Sequence, residues 1–302
     1  MNKLIIGLSL AAFSSAAYAL WSIFSDIVVS LNPISYLDYL VIFEASLFLI
    51  NILLILLFKE YRKIGRRKPK KSLFFYSLLS GIFFGLGSII FYSLIGNQNY
   101  PFVASASYIT IIPFIFILAS AKKQDPKTLA IIGTVIVFAG LVLQVVALYG
   151  SNFGAATRII SLTALMSVSW MLGSYFLLIS MVYKGYNIIK ADALTAFFEF
   201  ITVGVFGLSI GAFNGFFKIT PLELALSVAV AGFLVLGGLS EEFSLHILKR
   251  FKQKILDLWN VLVDLEIVGI ALFSIFFLTL YYPFLIIGLA LTILGSILIA
   301  LS

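Results

Sequence analysis

Long, unbroken apolar runs are the feature that most restricts this chain. Ten can be read, near 4–30, 34–58, 72–95, 100–121, 128–149, 158–182, 193–217, 222–247, 259–279 and 282–301. Each is about 20 residues long, the length a helix needs to cross the hydrocarbon of a bilayer. Backbone amides in lipid find partners only inside a helix or a closed barrel. Barrel strands alternate apolar and polar side chains, and these runs do not. The expected fold is therefore an all-α membrane protein with ten transmembrane helices. Composition agrees: 62% of residues are hydrophobic and 11% charged, against roughly 45–50% and 25% in soluble domains.

The charges set an orientation. With both termini on the cytoplasmic side, only Arg158 and Lys218 of the 20 Lys and Arg fall outside. Positive residues favour the cytoplasmic face, so this arrangement is preferred to its inverse. The net charge of +7 is then a topology signal, and no nucleic-acid partner is expected. The basic loop Lys59–Lys71 suits anionic lipid headgroups. At the N-terminus, Met1-Asn2-Lys3, an apolar stretch and Ala17-Tyr18-Ala19 imitate a cleavable signal peptide. The apolar run continues through Trp21 to Val29, so the segment is read as a retained first span. The expected location is the cell membrane, as an integral multi-pass protein.

Two halves recur 155 positions apart, residues 1–150 and 151–302. Ile131-Ile132-Gly133 matches Ile286-Ile287-Gly288, Gly140 matches Gly295, and Phe43-Glu44 matches Phe198-Glu199. The loop charges swap sides between the halves. The second-to-third connection is strongly basic and its counterpart near 218–221 holds only Lys218. The third-to-fourth, Gly96 to Asn99, is uncharged, and its counterpart holds Lys249, Arg250, Lys252 and Lys254. Five spans per half is an odd number, so the second half enters the bilayer from the opposite side. Two inverted five-helix repeats are a transporter device, rocking about a site near the midplane.

Several local features then resemble one family. They are Ala19-Leu20-Trp21-Ser22 in the first span, Pro113 in the fourth and the link Lys122-Lys123-Gln124-Asp125-Pro126-Lys127 before the fifth. Ile132-Gly133 with Gly140 closes the first half, and Leu265-Glu266 with Gly288 and Gly295 repeats the pattern. Together these resemble the drug/metabolite transporter (DMT) superfamily, in particular its EamA-like ten-helix members. The sequence departs from that pattern where Ile267, in place of proline, follows Glu266. The resemblance implies that spans one, three, four, six, eight and nine line a central cavity, with five and ten behind it.

A carboxylate at a helix centre costs about 2.5–3.5 kcal/mol to insert. Each therefore needs a partner, a wet cavity or a proton. Asp38 is placed near the outer interface and discounted as solvated. Glu241 and Glu242 sit toward the cytoplasmic end of span eight, where a solvated helix end accounts for them equally well; Glu242 shares a face with Gly238 and His246. On span nine, Asn260, Asp264, Ile267, Ala271 and Ser274 form one stripe, with Glu266 about 200° away from Asp264. On span one Ser15, Tyr18, Ser22 and Ser25 share a face with Asp26 beside it; on span six Ser167, Trp170 and Ser174 do. On span three Gly81, Gly85, Ser88 and Tyr92 do, and packing is the favoured reading there. The candidate cargo-binding residues are Asp264, Asn260, Tyr18, Trp21, Ser22, Tyr92, Tyr108 and Trp170. The proton-coupling candidates are Glu44, Glu199, Glu242 and Asp26.

No Lys or Arg lies deep in any run, which argues against a phosphorylated cargo. The expected function is secondary-active transport by alternating access, export in the first instance. The cargo would be a neutral, zwitterionic or cationic metabolite such as an amino acid. Burial favours the neutral form of a carboxyl group, so these acids are suited to proton coupling. The expected partners are a small-molecule cargo and membrane lipids, and a homodimer is compatible with the sequence. Two other classes compete. A membrane-embedded enzyme acting on lipid-linked substrates needs clustered His, Asp and Arg, and the chain has only His246. A non-transporting scaffold or receptor needs surface, and the loops are short. With no cysteine, thiolate metal sites and cysteine nucleophiles are excluded. Gly85-Leu86-Gly87 lies inside an apolar run and is no nucleotide loop. No metal, cofactor or catalytic residue is expected.

Overall fold

The structure, a computed structural model, describes residues 2–30, 36–57, 71–95, 99–107, 128–179, 188–209, 220–248, 258, 261–262, 265–277 and 282–301. Among these there are ten helices and no strand: α1 (Asn2–Ser30), α2 (Tyr36–Leu57), α3 (Lys71–Leu94), α4 (Tyr100–Ser107), α5 (Thr128–Tyr149), α6 (Phe153–Leu178), α7 (Ile188–Ser209), α8 (Pro221–Leu248), α9 (Glu266–Phe276) and α10 (Pro283–Ala300). Each lies on one expected span. Seven of them, α1, α2, α3, α5, α6, α8 and α10, are long and apolar enough to cross a bilayer. The chain is a helical, multi-pass membrane protein. The described parts of α4 and α9 are 8 and 11 residues long, and α7 carries Lys190, Asp192 and Glu199.

Two helices begin earlier than their apolar runs. α6 starts at Phe153 and not near 158, and α7 at Ile188 and not near 193. Helical hydrogen bonding does not stop where hydropathy does. Arg158 is exposed on the second turn of α6, and Lys190 and Asp192 lie in the first turns of α7. Local chemistry fixes other ends. Thr220 and Glu223 form a reciprocal capping box at the start of α8, with the Thr220 amide donating to Glu223 Oε2 at 2.7 Å and the Glu223 amide to Thr220 Oγ1 at 3.3 Å. Between α5 and α6 the chain turns at Gly150, whose φ of 52° suits glycine. Asn152 Oδ1 then accepts the Ala155 amide of α6.

Hydroxyl side chains survive in these apolar helices because the backbone serves them. Ser46, Thr134, Thr202, Ser274 and Thr292 each donate to the carbonyl four residues earlier. That satisfies the hydroxyl without a neighbour.

The chain divides into two compact units. The first comprises Met1–Asp26, Leu94–Ser161 and Leu236–Ser302, the second Ile27–Ser93 and Leu162–Val235. Both draw on both halves of the sequence, so this division differs in kind from the 155-residue recurrence.

In the first unit α5 and α10 cross antiparallel in direct backbone contact. A Cβ on Gly133 would lie 2.7 Å from the Gly295 carbonyl oxygen, and one on Gly140 2.6 Å from that of Gly288. Only glycine permits this approach. Beside the crossing, buried Gln144 donates from Nε2 to Thr292 Oγ1 at 3.0 Å. α1 lies antiparallel to the end of α8: Ser14 donates to the Gly237 carbonyl at 2.9 Å and Ser244 to the Gly7 carbonyl at 2.6 Å.

In the second unit α2 runs antiparallel to α7, bringing Phe48 against Phe197 with ring centroids 5.3 Å apart. α3 runs parallel to α7. Contacts advance together from Ser77 and Ala191, through Gly81 and Thr195, to Gly85 and Glu199. α3 is antiparallel to α6, with Ser80 donating to the Gly173 carbonyl at 2.9 Å and the Trp170 ring lying on Gly87. The first two turns of α2, Leu37 to Glu44, are buried on every side. Its later turns expose Leu49, Leu53, Leu56 and Leu57.

Candidate functional site

Antiparallel α2 and parallel α3 both press on α7 at the level of Glu199. Gly81 and Gly85 let α3 approach closely enough for Ser88, one turn on, to reach the carboxyl: Ser88 Oγ donates to Glu199 Oε1 at 2.9 Å. Glu44 comes from α2. Its carboxyl lies within hydrogen-bonding reach of the Glu199 carboxyl. Glu44 has no solvent exposure and Glu199 is 9% exposed. Among the described residues no donor reaches either oxygen of Glu44. A carboxylate only accepts hydrogen bonds, and it donates only when protonated. Two carboxyl groups in contact, one with no donor, therefore form a site shaped for a shared proton or a cation.

The same helices carry an aromatic cluster. The Tyr92 ring is 5.3 Å from Tyr39, 5.7 Å from Phe43 and 5.2 Å from Phe91, and Phe91 is 5.3 Å from Trp170. Tyr92 and Trp170 thus belong to one cluster, joined through Phe91. It shares α2 and α3 with the acids' site: Phe43 precedes Glu44, and Ser88 lies one turn before Tyr92.

The first unit holds a separate polar cluster. Tyr18 donates from its hydroxyl to Glu241 Oε2 at 2.9 Å. One turn further along α1, Ser22 Oγ accepts the Tyr100 hydroxyl at 3.0 Å. Tyr100 is fully buried, and Asp26 and Glu266 are near enough to act on its hydroxyl electrostatically. Asp26 is 1% exposed and Trp21 half-buried.

The candidate residues therefore divide. Tyr18, Trp21, Ser22 and Asp26 lie in the first unit, and Glu44, Glu199, Tyr92 and Trp170 in the second. Asn260, Asp264 and Tyr108 lie outside the described residues, as do the side chains of Glu242 and His246. Of the span-nine stripe, Ile267, Ala271 and Ser274 are buried on one face of α9.

One expectation is corrected, and two others gain detail. Asp38, read as solvated at an interface, has no exposure and lies in a stretch of α2, Leu37 to Glu44, that is buried throughout. Glu241, for which a solvated helix end had equal weight, is engaged by Tyr18. Ser88, read with the packing face of α3, also holds Glu199. Tyr100 was missed. A tyrosine at the edge of an apolar run carries no periodic signal, and only its partner one helix away gives it meaning.

Models of known protein families match no part of the chain, and no curated protein matches it in sequence.

Proposed function

We propose that this protein is a secondary-active transporter of small neutral, zwitterionic or cationic metabolites, amino acids among them. It works by alternating access and is coupled to protons through Glu44 and Glu199. One observation carries the reading: two glutamates 155 positions apart meet in the interior of a membrane protein, without a cation among the described residues around them. A structural role alone does not call for ionisable groups there, since intramembrane acids are expensive and mark ion pathways by default.

Contacts in each unit support the inverted repeat. Gly133 meets Gly295 while Gly140 meets Gly288. These are the reciprocal pairs that a two-fold relation between residues 155 apart requires. The Glu44–Glu199 contact joins a residue to its own counterpart, as happens on such an axis. This is the arrangement of inverted-repeat transporters and suits the DMT-like, EamA-like reading, with repeats 1–150 and 151–302. The cell membrane is the proposed location, with both termini cytoplasmic and Asp264 and Asn260 contributing to the cargo path.

The test is flux in proteoliposomes under an imposed pH gradient. Cargo would be chosen by thermal-shift screening against amino acids, polyamines, nucleobases and quaternary amines. Glu44→Gln and Glu199→Gln should reduce gradient-driven flux to background, and Asp264→Asn should weaken it. Gradient-driven flux that survives both glutamate changes would remove the carboxyl pair from the mechanism.

A further inference from the structure

The two glutamates are counterparts in sequence, yet their surroundings differ. Glu199 accepts the Ser88 hydroxyl at 2.9 Å. Glu44 accepts no hydrogen bond among the described residues. The position corresponding to Ser88, 155 further on, is Phe243, which has no hydroxyl. The adjacent Ser244 donates to the Gly7 carbonyl instead. At this one pair of corresponding positions the sequence has a hydroxyl for Glu199 and none for Glu44.

We propose that Glu44 is the proton carrier of the pair, that Glu199 is its fixed anionic partner, and that Ser88 sets this order. The proposal rests on the proton-coupled reading above. A hydrogen bond donated to a carboxylate stabilises its charged form. Ser88 gives this to Glu199, and among the described residues nothing gives it to Glu44. A proton on Glu44 makes the missing donor, because its O–H then donates to Glu199 and both acids have a partner. A proton on Glu199 leaves Glu44 charged and dependent on that single O–H, while Ser88 is wasted on a neutral acid. In the cycle, the O–H bond at Glu44 forms on loading and breaks on release. The pair changes between charges of −1 and −2, and Glu199 stays ionised throughout.

The other groups facing Glu44 do not alter this order. From α7 the charged group is Glu199. From α3, Ser88 bonds Glu199, and the Tyr92 ring packs on Tyr39 and Phe43 of α2. Among the described residues no Lys, Arg or His acts on either acid. Ser88 is a positioning residue, acting only through Glu199.

Infrared difference spectroscopy of the full chain in liposomes, recorded across a pH change, tests this directly. The readout is the carbonyl stretch of a protonated carboxyl group. Glu44→Gln should abolish the band, and Glu199→Gln should retain it at a shifted frequency. A band that persists in Glu44→Gln and vanishes in Glu199→Gln would reverse the roles and overturn the proposal. Ser88→Ala should move the pH midpoint of the band and Ser88→Thr restore it. An unchanged midpoint in folded Ser88→Ala would remove Ser88 from the scheme. If Glu44→Gln does not assemble, Glu44→Asp serves: it shifts the band if Glu44 holds the proton and leaves it in place if Glu199 does. Because the readout needs no flux, a wild-type protein that transports nothing yet gives the expected band supports the proton assignment and fails only the transport reading.

Discussion

Two helix crossings in this protein join segments 155 residues apart, and they are built from opposite chemistries. In the first unit α5 meets α10 through four glycines, backbone against backbone. In the second, α2 meets α7 through aromatic rings and two glutamates. The glycine crossing needs no ionisable group and leaves no room for one, so it holds shape. The glutamate crossing keeps two acids in the interior of a membrane protein, where apolar residues would cost less, and on the proposed reading its value is proton coupling. Two crossings with the same 155-residue spacing can thus be built for different work: on the proposed reading the glycine pair is scaffold and the glutamate pair machinery.

The largest effect that would test this contrast is on stability. Gly140→Leu forces a side chain against the Gly288 carbonyl and the Thr292 backbone, neither of which can move aside cheaply. Melting in detergent should show a loss at or beyond the upper end of the roughly 1–3 kcal/mol typical of overpacking. A variant that melts with the wild type would mean that α5 and α10 do not hold this close contact. Glycines without that contact should behave in the opposite way. A Cβ at Gly204 on α7 or Gly232 on α8 meets nothing within 4 Å. Gly204→Ala and Gly232→Ala should each stabilise by about 0.4–1 kcal/mol, read as a raised melting temperature.

Smaller stability changes separate structure from function. Gln144→Met removes the hydrogen bond to Thr292 and keeps the volume. Its cost should be about 0.6 kcal/mol, the average for such bonds in membrane proteins, with flux retained. Glu44→Gln should change stability least, since the amide can donate to Glu199, while abolishing gradient-driven flux. If instead Glu44→Gln unfolds the protein and Gly140→Leu spares it, the assignment of scaffold and machinery is inverted.

Much of the architecture is legible in the chain alone. Ten apolar runs predict ten helices, and each run carries one, because lipid leaves the backbone no other way to satisfy its hydrogen bonds. The equivalence of Glu44 and Glu199 is also legible, from the offset that aligns Phe43-Glu44 with Phe198-Glu199. Helix ends are less so: Arg158, Lys190 and Asp192 look like loop residues by hydropathy and are helical in fact. Burial of single side chains is not legible. Asp38 and Glu44 both lie on α2 among apolar neighbours, and sequence separates them wrongly into solvated and buried, whereas both are fully covered.

The sequence by itself determined that this chain is helical, membrane-embedded, basic in its loops and acid-bearing in its interior. Those properties follow from transfer energies that act residue by residue. Only the tertiary structure decided which acids meet, which glycines let helices touch, and that Ser88 serves Glu199 while Glu44 has no such donor among the described residues. These depend on the register between helices distant in sequence. A shift of one residue turns a side chain by about 100° round its axis, and no local pattern encodes that register.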